Sequence, residues 1–275
     1  MIAACLKWVD LRPEVDPLSG AVHHDGRATG MSDADQAALE WALRAGEAWG
    51  QPVIAVTAGP AAAETVLREA LAAGAGAAVR VELGPDAPSA TVATALAAPL
   101  TGCGLVLCGD LSVDRGSGSV PAYLAARLSA AQALGLVAVD LGPTGTLTVL
   151  RRLDGGRRER LRVPTPAVCS VEGSTVRLRR APLAAVLEAR RSPIPVHAGP
   201  SVAANGHHPT RPYRPRARAL TAPHGDALHR VQQLTSAAAS ITHGQPEVVE
   251  PAAAAARLLE ALAAWRSEPA PEAEG

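Results

Sequence analysis

The chain has 275 residues, enough for one large domain or one domain with an arm, and its 48% apolar content allows a real core. Aromatics are 2% and Phe is absent, so that core is built of Ala, Val and Leu. The net charge is zero and the arginines are interleaved with acids, which excludes the electrostatic footprint of a nucleic-acid binder. No apolar run is long enough to span a membrane, because Gly, Pro and charges break the Ala-rich stretches.

In chain order, Ile2 to Leu6 reads as a buried strand, with no cationic n-region or cleavage site of a signal peptide. Lys7, the only lysine, fits GC-rich codon usage. From Lys7 to Asp25 the chain is polar and reads as a loop, in which His23 and His24 lack any second ligand cluster at metal-site spacing. Ser32 is predicted to cap a helix, with Asp35 three residues on as a variant capping box. Leu39, Ala42, Leu43 and Gly46 form its buried stripe, and Trp41 and Trp49 flank it as packing residues.

Val53 to Ala58 is predicted as the second strand, stopped by Gly59-Pro60. A helix follows over Ala61 to Ala73, ended by Gly74. Ala77 to Leu83 is the third strand. Ser89 is predicted to cap a helix reaching about Leu100. Leu105 to Cys108 is the fourth strand, and after its loop a helix runs to Leu128. Leu136 to Leu141 is the fifth strand. Strands alternating with helices predict an α/β fold, a Rossmann-like, mostly parallel sheet with helices on both faces.

The pattern then changes. Thr146 to Leu153, a turn at Asp154-Gly155-Gly156, and Arg157 to Val163 predict a β-hairpin with arginines on its solvent face. Thr165 to Val171 is another strand. A basic stretch, Ser174 to Arg191, carries the apolar patch Leu183, Val186 and Leu187. Domain boundaries are expected at 1–195 for the α/β domain and 196–275 for an extended Pro/His-rich arm. Pro200 to Gly244 has the composition of a linker, and Glu250 to Arg266 has the spacing of an amphipathic helix. The four cysteines, Cys5, Cys103, Cys108 and Cys169, lie in or beside apolar runs and read as buried thiols of a reducing compartment, so a cytoplasmic location is expected.

The stretch after the fourth strand holds the candidate site. Gly109 ends the strand, and Asp110, Ser112, Asp114, Arg115, Gly116, Ser117, Gly118 and Ser119 form a loop that opens a helix at Val120-Pro121. Ligands of open parallel sheets sit outside the carboxyl ends of strands, where the free N–H groups and dipole of a helix N-terminus attract a phosphate. Gly116 and Gly118 allow close backbone approach, and Ser117 and Ser119 add hydroxyl donors. The loop matches neither GxxxxGK[ST] nor GxGxxG, so on spacing alone an ordinary loop capped by Ser117 or Ser119 is the simpler explanation. There is no GxSxG, HExxH or CxxC, hence no nucleophile or metal motif.

The order of these elements resembles the beta subunit of electron transfer flavoprotein over about Ile2 to Pro195. The matching stretches are CLKWV, MSDADQAALEWALR, VIAVTAGPAAAETVLREALAAGAGAAVRVE and LVLCGDLSVDRGSGSVPAYLAARL, and some actinobacterial members associated with mycofactocin look similar. The resemblance implies an adenine nucleotide alpha hydrolase-like fold and an electron-carrier subunit without a catalytic group of its own. Such a subunit pairs with an electron transfer flavoprotein alpha subunit. It helps bury FAD at the interface and passes electrons from a flavin or mycofactocin-linked dehydrogenase to a quinone reductase or other acceptor. It also implies a structural AMP in the beta subunit, or a second FAD in bifurcating members. The AMP positions carried over are Cys5, Ser32, Ala58, Gly109, Ser112 and the loop Asp114, Arg115, Gly116, Ser117, Gly118, Ser119 and Val120.

Gly118-Ser119-Val120-Pro121 stands where the family has N-Q-T-G, which leaves Ser117, Gly118 and Ser119 to compensate for the lost side chains. Arg12 falls where some members place an aromatic near the isoalloxazine, and an arginine there favours an anionic flavin. Leu183 falls on the anchor leucine of the family's partner-recognition loop, and Arg190 and Arg191 fall on its basic end. Two other readings fit the residues less completely: a stand-alone adenine-nucleotide-binding regulatory domain, and a scaffold whose nucleotide site has decayed.

Overall fold

The computed structural model describes residues 1–200 apart from 17, 18, 20, 24 and 86, and then 224–235 and 249–267. The expectation for His24 and most of the linker expectation for 200–244 lie outside the described residues. The strands are β1 (Ile2–Cys5), β2 (Val9–Asp10), β3 (Glu14–Val15), β4 (Val22–His23), β5 (Thr29–Gly30), β6 (Val53–Gly59), β7 (Ala77–Glu82), β8 (Leu105–Gly109), β9 (Ala131–Leu141), β10 (Leu147–Arg152), β11 (Arg158–Val163), β12 (Ala167–Val171) and β13 (Val196–Ala198). The helices are α1 (Asp33–Trp49), α2 (Glu64–Ala73), α3 (Ser89–Ala97), α4 (Val120–Leu128), α5 (Leu183–Arg191), α6 (Ala227–Thr235) and α7 (Pro251–Ser267).

Among the described residues one nine-stranded sheet runs in the order β11-β10-β9-β12-β8-β1-β6-β7-β13. From β9 through β13 every neighbouring pair is parallel. The fold is therefore the α/β, Rossmann-like parallel sheet expected, and β1 lies at its middle. Its apolar runs are continuous because both faces are covered. Ile2, Ala4, Leu105 and Leu107 pack with α1 and α2 residues such as Leu39 and Leu67. Ala3, Cys5, Val106 and Cys108 pack with Leu96, Leu100 and Leu124 on the other face. All four cysteines are free and buried.

Ser32 caps α1 as its spacing predicts: the Asp35 N–H donates to Ser32 Oγ at 3.2 Å. Trp41 and Trp49 are packing residues, their indole N–H groups donating to Thr175 Oγ1 and to the Gly142 carbonyl. Gly74, with φ of 120°, ends α2, whose first expected turn is a 3-10 turn over Ala61–Ala63. Ser89 does not cap α3: Pro88 takes the N-cap position, with φ −60° and ψ 151°, and Ser89 is the first helical residue. Proline pre-sets the φ needed for that turn into the helix.

The antiparallel end of the sheet is larger than a hairpin. β9 runs from Ala131 rather than Leu136, parallel to β12, and then turns its far half to β10. Gly135, with φ of 68°, stands at the register shift opposite Cys169 and Val171, and its N–H donates to Ser170 Oγ at 3.0 Å. A glycine that reads as a break in the sequence is here a bulge within one strand. β13 adds to the opposite edge beside β7. Between β1 and α1, two short ladders, β2 with β5 and β3 with β4, order much of the expected loop.

The chain divides into two compact units, Met1–Tyr213 and Arg214–Gly275. In the second unit α7 takes up the amphipathic helix expected over Glu250 to Arg266, and α6 lies inside the segment read as linker. No helix among the described residues is long and apolar enough to cross a membrane.

Candidate functional site

From β1 the chain moves to β6 and β7 on one side, then returns across β1 to β8 on the other. The order reverses between β1 and β8, which makes their carboxyl ends the switch point where open α/β sheets place ligands. Cys5 and Cys108 are partners in register there. Ala58 lies two residues beyond Val56, the Cys5 partner on β6. Gly109 ends β8 so close to α1 that a Cβ on it would lie 3.0 Å from the Ala34 Cβ and from Asp35 Oδ1. The sheet thus brings Cys5, Ser32, Ala58 and Gly109 to one end of its middle strands.

Asp35 is the site residue that spacing alone does not reveal. An acid in the first turn of a helix is ordinarily solvated, yet this one is 6% exposed. Burial pushes its carboxyl up to about 7, and the Ser32 hydroxyl and the backbone N–H groups of Lys7 and Gly109 hold it from rising further. Ser32 Oγ lies 3.0 Å from Asp35 Oδ2. One carboxyl therefore ties the N-terminus of α1 to the ends of both switch-point strands. The Cys108 thiol is raised by its hydrogen bond to Cys5, by burial and by the nearby Asp35 carboxyl, which keeps it protonated.

Lys7, directly after β1, reaches across to the loop after β8. Its Nζ lies 2.6 Å from both carboxylate oxygens of Asp114. Burial raises the Asp114 carboxyl, but the Lys7 ammonium and the Ser112 hydroxyl outweigh it and hold the group below its ordinary value. The sequence carries no signal for this role, because the partner is 107 positions away. The Arg115 guanidinium turns away from the loop and donates to the Ala87 and Pro85 carbonyls at 2.8 and 3.1 Å. Both cations of the site thus hold the loop in place. Asp110 adds a carboxyl that burial raises.

The loop is shaped for close backbone approach. The Gly116 N–H donates to the Ser112 carbonyl at 2.8 Å, and Gly116 and Gly118 have φ of 62° and 57°. A Cβ on Gly118 would lie 2.7 Å from the Asp110 carbonyl oxygen. Ser119 occupies the N-cap position of α4 but its side chain makes no cap hydrogen bond; it lies 3.1 Å from Ser117 Oγ instead. The capped-loop alternative is therefore not what the chain adopts. Val120 and Ala122 bring N–H groups to this first turn, and Pro121 brings none. The arrangement is a turn of backbone donors and two hydroxyls with the positive end of a nine-residue helix behind them.

Arg12 stands apart, exposed on the turn between β2 and β3 with its backbone N–H on Asp10 Oδ1. Among the described residues no hydrogen bond ties its side chain to the switch-point cluster. Leu183, Arg190 and Arg191 lie on α5, which packs beside α2. Leu183 is 73% exposed, and Leu187, one turn on, is also exposed. Two arginines fix this helix. Arg68 of α2 donates to the Ala189, Arg190 and Ser192 carbonyls at the end of α5. Before it, Arg179 grips the buried Glu40 of α1, its Nε 2.9 Å from Oε2. Glu40 is held below its ordinary value because the Arg179 and Arg44 hydrogen bonds outweigh the burial that would raise it.

The family model described as "Electron transfer flavoprotein domain" matches residues 20–201. Among curated proteins, Protein FixA of Rhizobium meliloti is 30% identical over 207 residues, covering 70% of this chain and 70% of that protein. Protein FixA of Sinorhizobium fredii is 32% identical over 208 residues, covering 70% of this chain and 72% of that protein. Protein FixA of Bradyrhizobium diazoefficiens is 31% identical over 205 residues, covering 69% and 70%. A parallel sheet with a loop of backbone donors at its switch point, matched over this length, places the chain in the electron transfer flavoprotein family, as a beta-type subunit.

Proposed function

We propose that this chain is the beta subunit of a heterodimeric electron transfer flavoprotein. In this reading it helps bury FAD against an alpha subunit and passes electrons from a flavin or mycofactocin-linked dehydrogenase to a quinone reductase or another acceptor. The observation that carries the proposal is the uncapped first turn of α4 facing the switch point in a chain of this family. A second observation supports it. Leu111 and Val113 on the loop and Tyr123 on α4 are exposed, an apolar rim suited to a covering subunit.

The residues present fit a bound AMP. The N–H groups of Val120 and Ala122 and the hydroxyls of Ser117 and Ser119 would hold its phosphate, and Gly118 keeps that turn clear of a Cβ. Cys5, Ala58, Ser32 and Gly109 would border the adenosine, with Ser112, Asp114, Arg115 and Gly116 shaping the loop. Lys7 is spent on Asp114 and Arg115 on two carbonyls, so the backbone rather than a cation neutralises the anion. FAD, when bound, supplies the redox chemistry. The chain's own part is to exclude water from it and to place Arg12, whose charge favours an anionic flavin, toward it. Leu183, with Arg190 and Arg191, is assigned to docking the dehydrogenase, an exposed apolar anchor beside positive charge.

The test is to co-express the chain with an alpha-type subunit, purify the complex and release its small molecules by denaturation. FAD with AMP, in a complex of both chains, is the expected result. FAD alone keeps the carrier and removes the AMP site, and two FAD per heterodimer points to bifurcation. No flavin and no partner overturns the proposal in favour of a stand-alone nucleotide binder.

A further inference from the structure

Among the described residues the sheet ends at β11, which pairs there only with β10. The hairpin register sets Arg152 opposite Arg158, Leu150 opposite Arg160 and Thr148 opposite Arg162. Side chains alternate along a strand, so Arg158, Arg160 and Arg162 share one face in a row spaced about 7 Å apart. That is the face opposite the core residues Val149 and Val163. All three are exposed, and none takes a carboxylate partner among the described residues. Two nearby glutamates are committed elsewhere. Glu159 pairs with Arg151 on the other face at 2.6 Å, and Glu172 takes Arg152, whose Nε lies 3.0 Å from Oε1.

The backbone of the same three residues is also open. The Leu153 N–H donates to the Arg157 carbonyl at 2.9 Å, so 153 and 157 are a hydrogen-bonded pair of the ladder. Bonded and non-bonded pairs alternate in an antiparallel ladder. The pairs 152/158, 150/160 and 148/162 are then the non-bonded ones, and the N–H and C=O groups of Arg158, Arg160 and Arg162 point outward to the free edge. Like charges directly opposite across a ladder are destabilising. Arg152 and Arg158 stand so; Glu172 pairs with Arg152, and Arg158, Arg160 and Arg162 have no carboxylate partner among the described residues.

We propose that the edge of β11 accepts an added β-strand from a protein partner, and that the partner strand is acidic, with carboxylates on alternate residues. Backbone bonds to the open edge give such a strand its affinity, and the guanidinium row gives it its sign. Beside the row, Leu150 and Thr148 are half-buried and Ala138 of β9 is exposed, a shallow apolar floor for the partner's small side chains. A second copy of this chain is excluded as the occupant, because it would bring arginines against arginines, the way charge keeps open edges from pairing with themselves.

The test uses the full chain and a fluorescein-labelled synthetic peptide alternating glutamate and valine, read by anisotropy. The expected result is saturable binding that weakens with added salt, no binding of the lysine–valine peptide, and roughly 10- to 100-fold weaker binding to the double variant Arg160→Glu, Arg162→Glu. Both positions are exposed, and the melting curve of the variant checks that the fold is kept. A peptide of the same charge, N-methylated on alternate amides so that it cannot pair with an edge, is expected to lose binding. Equal binding of the methylated peptide overturns strand addition. No binding of either acidic peptide overturns the proposal, as does binding of phosphatidylglycerol vesicles that the double variant loses while the peptide never binds, which would make the row a membrane contact.

Discussion

Gly118 and Asp35 are the two residues on which the site turns, one by what it lacks and one by where it is buried. Gly118 has φ of 57° and a Cβ there would meet the Asp110 carbonyl oxygen at 2.7 Å. Gly118→Val must therefore open the turn, at a cost of about 1–2 kcal/mol for the left-handed backbone before the clash is counted. The expected outcome is a folded complex that no longer carries AMP, measured by chromatography of the denatured supernatant. Unchanged AMP content would remove the phosphate role of the loop. For Asp35 the sign follows from burial. Its carboxyl is raised from 3.8 to about 7 in the fold, so between those values the folded chain holds a proton that the unfolded chain has lost. The stability due to the protonated form is complete below about pH 4 and is lost as pH rises through 7, by about 4 kcal/mol in all. Asp35→Asn should flatten the stability profile over that window and should be the more stable protein at pH 8, as read by urea titrations at pH 5 and pH 8. A variant as pH-sensitive as the parent would assign the effect elsewhere.

At the scale of elements, α5 is an exposed helix made rigid by arginines from its neighbours. Its end is capped by Arg68, which also pairs with Glu64 at 3.2 Å, and Glu64 in turn meets Arg80 beneath the Gly59 carbonyl. Arg68→Ala removes a donor from three carbonyls, of which that of Ala189 keeps the Ser192 N–H, and is expected to raise amide exchange over Leu187 to Arg191 by roughly 5- to 30-fold, about 1–2 kcal/mol of local opening. Exchange in β1 and β8 should not change, and equal loosening there would make Arg68 a general core contact. These ties show what a sequence tells and withholds. The helix itself was legible only as a basic stretch with an apolar patch, because Arg179 and Glu40, 139 residues apart, meet only once the sheet exists. β1, β6, β7 and β8 were legible because each is an apolar run, the last three closed by Gly or Pro, whereas the two-residue strands β2 to β5 lie in a polar stretch that reads as loop. β9 was half legible because Gly135 looks like a terminator. β13 was not legible at all: Val196, His197 and Ala198 are exposed and become a strand through the edge that β7 offers. The loop after β8 was legible from its glycines, but Lys7 and Asp35 were not, since position in space decides both.

For the whole molecule, the question is which part of the chain holds the fold. Every buried apolar residue described lies between Ile2 and Ala189, and the sheet closes at Ala198. In the second unit the large apolar residues Leu228, Val231, Leu258, Leu259 and Leu262 are exposed. A core of Ala, Val and Leu with no Phe makes up for small side chains by close approach, as where a Cβ on Gly46 would lie 2.6 Å from the Val53 side chain. Such a core gains its stability from continuity across β12, β8, β1 and β6, all of them in the first unit. A chain ended at Pro200 is therefore expected to unfold in one cooperative transition with a melting temperature within about 4 °C of the full chain, the shift that about 1 kcal/mol gives at this size. It is also expected to bind the alpha-type subunit more weakly on a sizing column, since the exposed leucines of α7 would be gone. A truncated chain that is insoluble or melts far lower would move part of the core into the second unit. A truncated chain that pairs as well as the parent would leave those leucines without a role in assembly.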